Sequence, residues 1–338
     1  MGNYRKIKNI IENNKTTSTL LIVALVDYEK KNKIDGEKIA NNIKDAVKIL
    51  IKNQQLKPKI AIIQVGDNFA STKYVNKKIK VSAEIGIEMQ LYHFDKNITE
   101  VKLIDKIKAL NNDKIIHGVM CQLPLPDKIN TFNILNTIAP EKDIDGLNPF
   151  NAGLLHYSKS VPYQVEDVLS NNNNSNNFSK NIKQLGKTLP FIPCTPLGCL
   201  YLITETLKEE DKNIIGKNAV VIGNSNLVGK SIARLLTQSG ATTTTIHSKS
   251  KNFDYIIKNA DVIVSATGVA IELKKVKKGA ILIDVGIRKK EDGTGICGDL
   301  DYQKYIKNNK ITPVPKGVGP MTIACLMLNS YLACLKNS

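Results

Sequence analysis

Helical and strand-like segments alternate along most of this chain, and that alternation restricts its fold more than any other feature. Two apolar, β-branched runs, Lys59–Val65 and Asn218–Ile222, are typical of buried strands. Amphipathic segments of helical period lie between such runs, as at residues 40–51 and 101–109. Further strands are predicted at residues 89–94, 118–123, 242–247, 261–265 and 280–285. Strands separated by helices pair in parallel, so the pattern predicts an α/β fold.

A polar segment, SNNNNSNNFSKNIKQLGK at residues 170–187, interrupts this alternation. It carries too little apolar surface to offset the entropy of ordering it, so we predict a disordered insertion over residues 169–188. A chain of 338 residues has room for two domains of ordinary size. The insertion therefore marks the predicted boundary between two α/β lobes.

The second lobe opens like a dinucleotide-binding domain, with a strand, a glycine-bearing turn, a helix and another strand over residues 218–247. The turn has Gly223 and Gly229 but lacks the full GxGxxG fingerprint, and many such turns in unrelated α/β folds bind nothing. An NAD site usually has a carboxylate about 20 residues further on. This chain has Ser248 and Lys249 there, and a hydroxyl with a cation suits a 2′-phosphate. The sequence therefore favours NADP over NAD.

Composition narrows the choice of partners. The formal charge is +17, yet the lysines are scattered and form no basic run with interleaved aromatic residues. The longest early apolar run, residues 20–26, is far below the roughly 20 residues that span a bilayer. Six cysteines form no CxxC pair and no zinc-ligand spacing, which favours structural thiols in a reducing compartment. We expect no nucleic-acid partner, no membrane partner and no metal.

Tyr74 and Lys78 are four residues apart on a predicted helix, so their side chains share one face. A ring can stack on a flat heterocycle, and a lysine in a partly desolvated cleft can move protons near neutral pH. The structural alternative is a solvated basic face of Lys77, Lys78 and Lys80 beside a half-buried tyrosine. These residues alone leave both interpretations open.

Six motifs in a fixed order carry a resemblance to a known family. They are YVNKK at 74–78, CQLPLP at 121–126, KDIDG at 142–146, PCTPLG at 193–198, GNSNLVGK at 223–230 and PVPKGVGPMT at 313–322. Together they closely resemble the bifunctional methylenetetrahydrofolate dehydrogenase/methenyltetrahydrofolate cyclohydrolase family. The likeness runs from residue 34 nearly to the C-terminus, interrupted mainly by the asparagine-rich insertion.

The resemblance implies two α/β lobes around a cleft, the second a Rossmann-type dinucleotide-binding domain, commonly assembled as a homodimer. The predicted parts are an N-terminal extension (1–33), a folate-binding catalytic domain (34–168) completed by a C-terminal helix (316–338), the insertion (169–188) and an NADP-binding Rossmann domain (189–315). The implied reaction is NADP-dependent oxidation of 5,10-methylenetetrahydrofolate, followed by hydrolysis of the methenyl product to 10-formyltetrahydrofolate.

The resemblance also implies roles for individual residues. Lys78 matches the catalytic lysine, Tyr74 the stacking ring, Gln122 the amide that tunes the lysine, and Asp145 the carboxylate that binds the pterin. The implied substrate-binding residues are Tyr74, Lys78, Cys121, Gln122, Leu123, Asp145, Pro315, Gly317, Gly319 and Pro320. The implied cofactor-binding residues are Gly223, Asn224, Ser225, Ser248, Lys249 and Ile287. Asp143 is the alternate to Asp145, and we expect it at the rim of the site or in a turn.

Four positions need separate expectations. Glycines at 317 and 319 are explained by close approach of the backbone to folate better than by packing. Lys316 replaces a usual glycine, and its side chain either grips the glutamate tail of folate or obstructs the site; a negative φ would favour the grip. Asn224 replaces a frequent arginine, which weakens the preference for NADP unless Lys249 supplies the missing charge.

Three alternatives remain open from sequence. The chain retains only one of the two activities, or it is a non-catalytic paralogue that still binds folate or NADP, or it is a basic nucleic-acid-binding protein. Cytoplasm is the default location, and the extension at residues 1–33 leaves a mitochondrial or plastid address open.

Overall fold

The computed structural model describes residues 31–163, 165 and 189–337. It shows the α/β architecture with parallel sheets that the alternating pattern predicts. The insertion predicted at 169–188 lies outside the described residues, as does the extension predicted at 1–33 apart from its last three residues.

The first lobe is built on a three-stranded parallel sheet with strand order β2-β1-β3. Its strands are β1 (Lys59–Val65), β2 (Glu88–Phe94) and β3 (Gly118–Cys121). Its helices are α1 (Gly36–Asn53), α2 (Phe69–Glu84), α3 (Glu100–Asn112), α4 (Thr131–Thr137) and α5 (Pro149–Tyr157). Strand β1 is apolar and almost wholly buried, as expected of the central strand of a sheet covered on both faces.

The second lobe is built on a five-stranded parallel sheet with strand order β10-β7-β6-β4-β5. Its strands are β4 (Asn218–Ile222), β5 (Thr242–Ile246), β6 (Val262–Ser265), β7 (Ile281–Asp284) and β10 (Lys310–Ile311), and a hairpin is formed by β8 (Arg288–Lys289) and β9 (Ile296–Cys297). Its helices are α6 (Cys194–Lys208), α7 (Gly229–Gln238), α8 (Phe253–Lys258) and α9 (Tyr302–Tyr305). The order, in which successive strands are added on both sides of β4, is that of a doubly wound sheet.

The last helix, α10 (Val318–Lys336), joins the two lobes into one hydrophobic core. It is apolar on every face, which predicts complete burial, and it packs mainly against α1 and α6. Its length and composition would also suit a membrane span, but 83% of its apolar window is buried inside the protein. Helix α10 is therefore the central core helix of this fold.

Parallel strands bring their carboxyl ends to one edge of each sheet, and ligands of open α/β sheets bind at that edge. In the first lobe Gln122 follows β3 at this edge. In the second lobe the turn after β4 and the segment after β5 lie at the corresponding edge. The topology thus gathers the predicted site residues at the ends of the strands.

Candidate active site

Helix α2 places Tyr74 and Lys78 on its inner face. The helix begins after Asn68, whose side-chain oxygen accepts a hydrogen bond from the backbone N–H of Ser71 at 3.0 Å. Lys78 is only 4% exposed, although Lys77 beside it is exposed. The Nζ atom of Lys78 lies 5.1 Å from the centre of the Tyr74 ring. The alternative of a solvated basic face is therefore wrong for Lys78.

Two acceptors from the end of β3 hold the Lys78 side chain. Its Nζ donates to Oε1 of Gln122 at 3.0 Å and contacts Sδ of Met120 at 3.7 Å. The Gln122 amide is itself oriented, because its Nε2 donates to the carbonyl of Leu123 at 2.7 Å. With two of its hydrogens directed at these acceptors, the lysine has capacity for one further partner.

Burial sets the protonation of this cluster. Burial lowers the pKa of Lys78, and the nearby charge of Asp145 partly offsets that shift. Burial raises the pKa of Tyr74, whose hydroxyl donates to the carbonyl of Gly319 at 3.1 Å. Burial also raises the pKa of Cys121 to about 12, so this thiol stays protonated at neutral pH. Lys78 is thus the group in this cluster whose pKa moves toward neutrality.

Asp145 lies in a tight turn pressed against the start of α6. Gly146 follows it with φ +70°, and a Cβ there would lie 2.6 Å from the backbone of Ile192 and Pro193. Only glycine fits this close approach. Asp145 is partly exposed, and its charge acts on both Tyr74 and Lys78. The structure therefore brings the four residues of the predicted catalytic set together.

Asp143 differs from its predicted position at the rim of the site. It is 1% exposed, and its carboxylate accepts from the backbone N–H of Asn148 at 2.8 Å, that of Leu147 at 3.2 Å, and Nδ2 of Asn151 at 2.9 Å. Burial raises its pKa to about 6 in spite of these donors. The rim alternative was wrong, because this carboxylate supports the backbone that follows Asp145 rather than facing a ligand. The turn alternative is confirmed, since the Asp143 carbonyl accepts from the backbone N–H of Gly146 at 3.0 Å.

The segment that leads into α10, together with the first turn of that helix, closes the cluster. Pro315 is exposed, while Gly319 and Pro320 are partly exposed, and a Cβ on Gly319 would meet no protein atom within 4 Å. Gly317 differs, because a Cβ there would lie 2.5 Å from the carbonyl oxygen of Pro313. Packing therefore accounts for Gly317, against our expectation, whereas the free space at Gly319 leaves room for a ligand.

Lys316 has φ +87°, in the left-handed region that favours glycine. The condition set for its gripping the glutamate tail, a negative φ, is not met. Its Nζ lies 3.3 Å from Oε2 of Glu37 on α1. The Lys316 side chain is 63% exposed and the Glu37 side chain is 50% exposed. The side chain is directed to a neighbouring helix rather than to Lys78.

The turn between β4 and α7 is shaped by close backbone contacts. Gly223 has φ +114°, and a Cβ there would collide with the carbonyl oxygen of Ala266. Oγ of Ser225 accepts from the backbone N–H groups of Val228 and Gly229, each at 3.3 Å. Asn224 and Ser225 are exposed at the N-terminal end of α7, where helix geometry favours an anion.

The remaining predicted cofactor residues follow neighbouring strands. Ser248 and Lys249 are exposed just after β5, in a turn closed by a hydrogen bond from the backbone N–H of Ser250 to the carbonyl of His247 at 2.8 Å. Ile287 follows β7 and is 63% exposed. Among the described residues, no group of three or more His, Cys, Asp and Glu is arranged to hold a metal.

Two family models match this chain over most of its described length. The catalytic domain of tetrahydrofolate dehydrogenase/cyclohydrolase matches residues 34–145, and the NAD(P)-binding domain of the same family matches residues 193–338. The chain belongs to this family.

Individual relatives match this chain along almost their full length. Bifunctional protein FolD of Macrococcus caseolyticus is 39% identical over 307 residues, which cover 89% of this chain and 96% of the relative. The Campylobacter jejuni enzyme is similar in structure, with a TM-score of 0.75 and 38% identity over 89% of this chain and 97% of that one. The Trypanosoma brucei enzyme, solved with NADP and an inhibitor, has a TM-score of 0.71 and 29% identity over 89% of this chain and 96% of that one.

The residues of this family member fit a bound dinucleotide. The turn at Gly223 lies tightly against the residues after β6, since a Cβ there would collide with the carbonyl oxygen of Ala266. This turn stands at the N-terminal end of α7, a position that favours an anion, and Lys249 supplies a cation at the end of the next strand. No carboxylate stands at 247–250 to repel a 2′-phosphate.

Sequence reasoning missed two residues that shape this active site. Met120 contacts Lys78, and the alternation of side chains along β3 could have placed it on the same face as Gln122. Asn329 of α10 is fully buried, and its Nδ2 donates to the carbonyl of Ile144 at 2.9 Å and that of Ile192 at 3.0 Å. Asn329 thereby connects the backbone on both sides of the Asp145 turn to the core helix. No local sequence pattern predicts this role.

Proposed function

We propose that this protein oxidises 5,10-methylenetetrahydrofolate with NADP to the 5,10-methenyl compound and hydrolyses that product to 10-formyltetrahydrofolate, with Lys78 as the proton-transfer group. The observation that carries the proposal is a buried lysine held by Gln122 and the Tyr74 ring, beside Asp145. Family membership over both lobes supports the two activities together.

The hydrolysis uses Lys78 in both of its protonation states. Neutral Lys78 accepts a proton from the water that attacks the methenyl carbon, because burial has lowered the lysine pKa. The bond from that carbon to N5 then breaks, the new hydroxyl group loses its proton to form the formyl carbonyl, and Lys78 gives a proton to N5. One proton is released to solvent overall.

Asp145 and Tyr74 hold the substrate for both steps. An aminopyrimidinone edge presents two parallel donors, which match the two oxygens of the Asp145 carboxylate. The Tyr74 ring supplies a flat apolar surface beside Lys78, and its hydroxyl is tethered to Gly319. The stacked pterin would therefore present its reacting carbon to the lysine.

Hydride transfer needs no acid or base, so the protein must align two rings and exclude water. NADP, when bound, supplies the hydride acceptor. Gly223, Asn224 and Ser225 would hold its phosphates, Ser248 and Lys249 would hold the 2′-phosphate, and Ile287 would contact the nicotinamide side. The ends of β4 and β5 place the first two groups at one edge of the sheet.

Two features had suggested loss of catalysis, and the geometry of neither favours that alternative. Lys316 pairs with Glu37 instead of reaching Lys78 or Asp145. Asn224 is exposed beside Ser225, and Lys249 offers a cation nearby in the fold. Retention of Tyr74, Lys78, Gln122 and Asp145 in one cluster favours the bifunctional enzyme over a single-activity member. Following the family resemblance, we also propose a homodimer located in the cytoplasm.

The purified full-length chain, supplied with methylenetetrahydrofolate and either NADP or NAD, tests this function. We expect a methenyl product, formed faster with NADP, and conversion of added methenyltetrahydrofolate to the formyl compound. No methenyl product with either nucleotide would contradict the dehydrogenase activity. Steep salt-dependent binding to random oligonucleotides, without turnover, would favour the nucleic-acid alternative instead.

Replacing Gln122 with methionine is expected to move the rising limb of the cyclohydrolase pH profile to lower pH. The Gln122 oxygen accepts from Lys78 Nζ at 3.0 Å, and an ammonium donates more strongly than an amine. Loss of this acceptor therefore disfavours the charged form and lowers the Lys78 pKa beyond the shift caused by burial. Initial rates between pH 5 and 9, measured with methenyltetrahydrofolate, check the shift; movement of the limb to higher pH would contradict it.

A further inference from the structure

A polar contact joins helix α7 of the second lobe to helix α5 of the first. Arg234 and Gln238 are four residues apart on α7, so they share one face of that helix. Nη2 of Arg234 donates to the carbonyl of Ser158 at 2.6 Å. Nε2 of Gln238 donates to the same carbonyl at 2.6 Å and to that of Leu155 at 2.9 Å. Both acceptors lie at the C-terminal end of α5 in the first lobe.

This contact is suited to hold one helix against the other. The last carbonyls of a helix lack partners within it and carry partial negative charge, so a cationic donor is favourable there. A guanidinium is planar and always charged, and it is more directional than an ammonium. Arg234 is one of only three arginines, with Arg5 and Arg288, among 48 basic residues of a chain that otherwise uses lysine.

Each of the two helices leads directly to one half of the active site. Helix α7 begins at Gly229, where the cofactor turn ends. Helix α5 is capped by Asn148, and Asn148 and Asn151 bind the carboxylate of Asp143, which supports the Asp145 turn. A continuous path of helices and hydrogen bonds therefore connects the dinucleotide turn to the residue that would bind the pterin.

We propose that Arg234 and Gln238 are positioning residues for hydride transfer, which set how the dinucleotide turn faces the pterin site. This inference rests on the proposed function. Hydrogen bonds elsewhere between the lobes, such as those of Asn329, hold the segment that leads into α6, whereas α7 itself otherwise packs into the apolar core, and apolar burial does not define a direction. Three directional hydrogen bonds at the end of α5 fix the rotation and register of α7.

The two activities depend differently on this alignment. Hydrolysis requires Lys78, Gln122, Tyr74 and Asp145, which lie in the first lobe, whereas hydride transfer requires rings bound to both lobes to meet. A displacement of about 1 Å between reacting groups can reduce a rate by about 10²-fold. Loss of the contact should therefore impair the dehydrogenase and spare the cyclohydrolase.

Two variants, Arg234→Met and Gln238→Met, test the proposal in the full chain. Methionine keeps length and apolar bulk but cannot donate these hydrogen bonds. The matched control is Thr237→Ala on the same helix, because Thr237 is exposed and its hydroxyl bonds only within the helix, to Ala233 at 2.9 Å. Three quantities are measured for each protein: dehydrogenase kcat, cyclohydrolase kcat without NADP, and the dissociation constant of NADP by fluorescence titration.

We expect the dehydrogenase kcat to fall by about 10- to 10²-fold in both variants, with the other two quantities within about twofold of wild type. An equal fall in both activities would show a merely structural role and overturn the proposal. An unchanged dehydrogenase, or a rise in the NADP dissociation constant that accounts for its loss, would overturn it too. If Arg234→Met does not fold, Gln238→Met, which retains Arg234, tests the proposal alone. Wild-type protein without dehydrogenase activity would instead contradict the proposed function.

Discussion

Replacing Lys78 with methionine is expected to lower the cyclohydrolase rate by about 10²- to 10⁴-fold, the usual contribution of a positioned acid–base group. Methionine approximates the length and apolar stem of lysine, so the buried helix face stays filled, but no atom can accept or return a proton. The measurement is the decay of added methenyltetrahydrofolate, corrected for its uncatalysed hydrolysis. The dehydrogenase should keep a larger share of its rate, because hydride transfer requires no proton.

The neighbouring lysine on the same helix provides the control for this variant. Lys77 is exposed and has the same formal charge, so Lys77→Met changes net charge equally without touching the cluster. We expect near wild-type decay in that control. Normal decay in Lys78→Met, or equal losses in both proteins, would show that Lys78 is not the proton-transfer group.

The strands could be predicted well because a strand that is buried on both faces needs a continuous apolar run, which is visible in the local sequence. Strands β1 and β4 have the bounds that their apolar runs predicted, Lys59–Val65 and Asn218–Ile222. The other predicted strands differ from those observed by one or two residues at an end. Short elements were missed, among them the β8–β9 hairpin and helix α9, because two to four residues offer too little periodicity.

In the active site, too, features set by nearby residues could be predicted, whereas features set by distant segments could not. Helical spacing alone put Tyr74 beside Lys78, and the structure confirms that proximity. The burial of Lys78 depends on contacts with Met120 and Gln122, which lie far along the chain, so spacing could not decide between a solvated and a buried lysine. The ordered motifs supplied the missing information, since each marks a segment that meets the others only after folding.

The expectations for Asp143 and Gly317 failed for the same reason, because both depend on the path of the folded backbone. Asp143 and Asp145 are two residues apart in one motif, and sequence could not say which carboxylate faces solvent. The backbone bends so that Asp143 points to the N-terminal end of α5 and is buried, while Asp145 remains partly exposed. The glycine at 317 was likewise attributed to close approach of folate rather than to packing, because its close contact with Pro313 depends on the path of the loop before α10.

Lys78 and Asp145 therefore have complementary tasks that substitution can separate. Removing the lysine removes a proton carrier but leaves the surface that would bind the pterin. Removing the Asp145 charge should weaken binding of every reacting species, because the methylene and methenyl compounds share one pterin edge. A defect common to both activities is thus the signature of the carboxylate, and a defect confined to hydrolysis that of the lysine.

Replacing Asp145 with asparagine is expected to lower kcat/KM of both activities by about 30- to 4 × 10³-fold. Asparagine has the same shape, but one of its two polar atoms is a donor, which would face a donor of the aminopyrimidinone edge. Loss of one partner from a desolvated, charge-assisted pair costs about 2–5 kcal/mol, and about 1.4 kcal/mol corresponds to a factor of ten. Steady-state kinetics with both substrates measure the loss.

The control for this variant is Asp105→Asn, since Asp105 is an exposed carboxylate on α3 of the same lobe. It removes one negative charge without changing the site, so both activities should remain near wild type. Loss of the Asp145 charge also removes an influence that raises the Lys78 pKa, so the rising limb of the cyclohydrolase profile should move to lower pH. Unchanged kcat/KM for both substrates in Asp145→Asn would mean that another group binds the pterin edge.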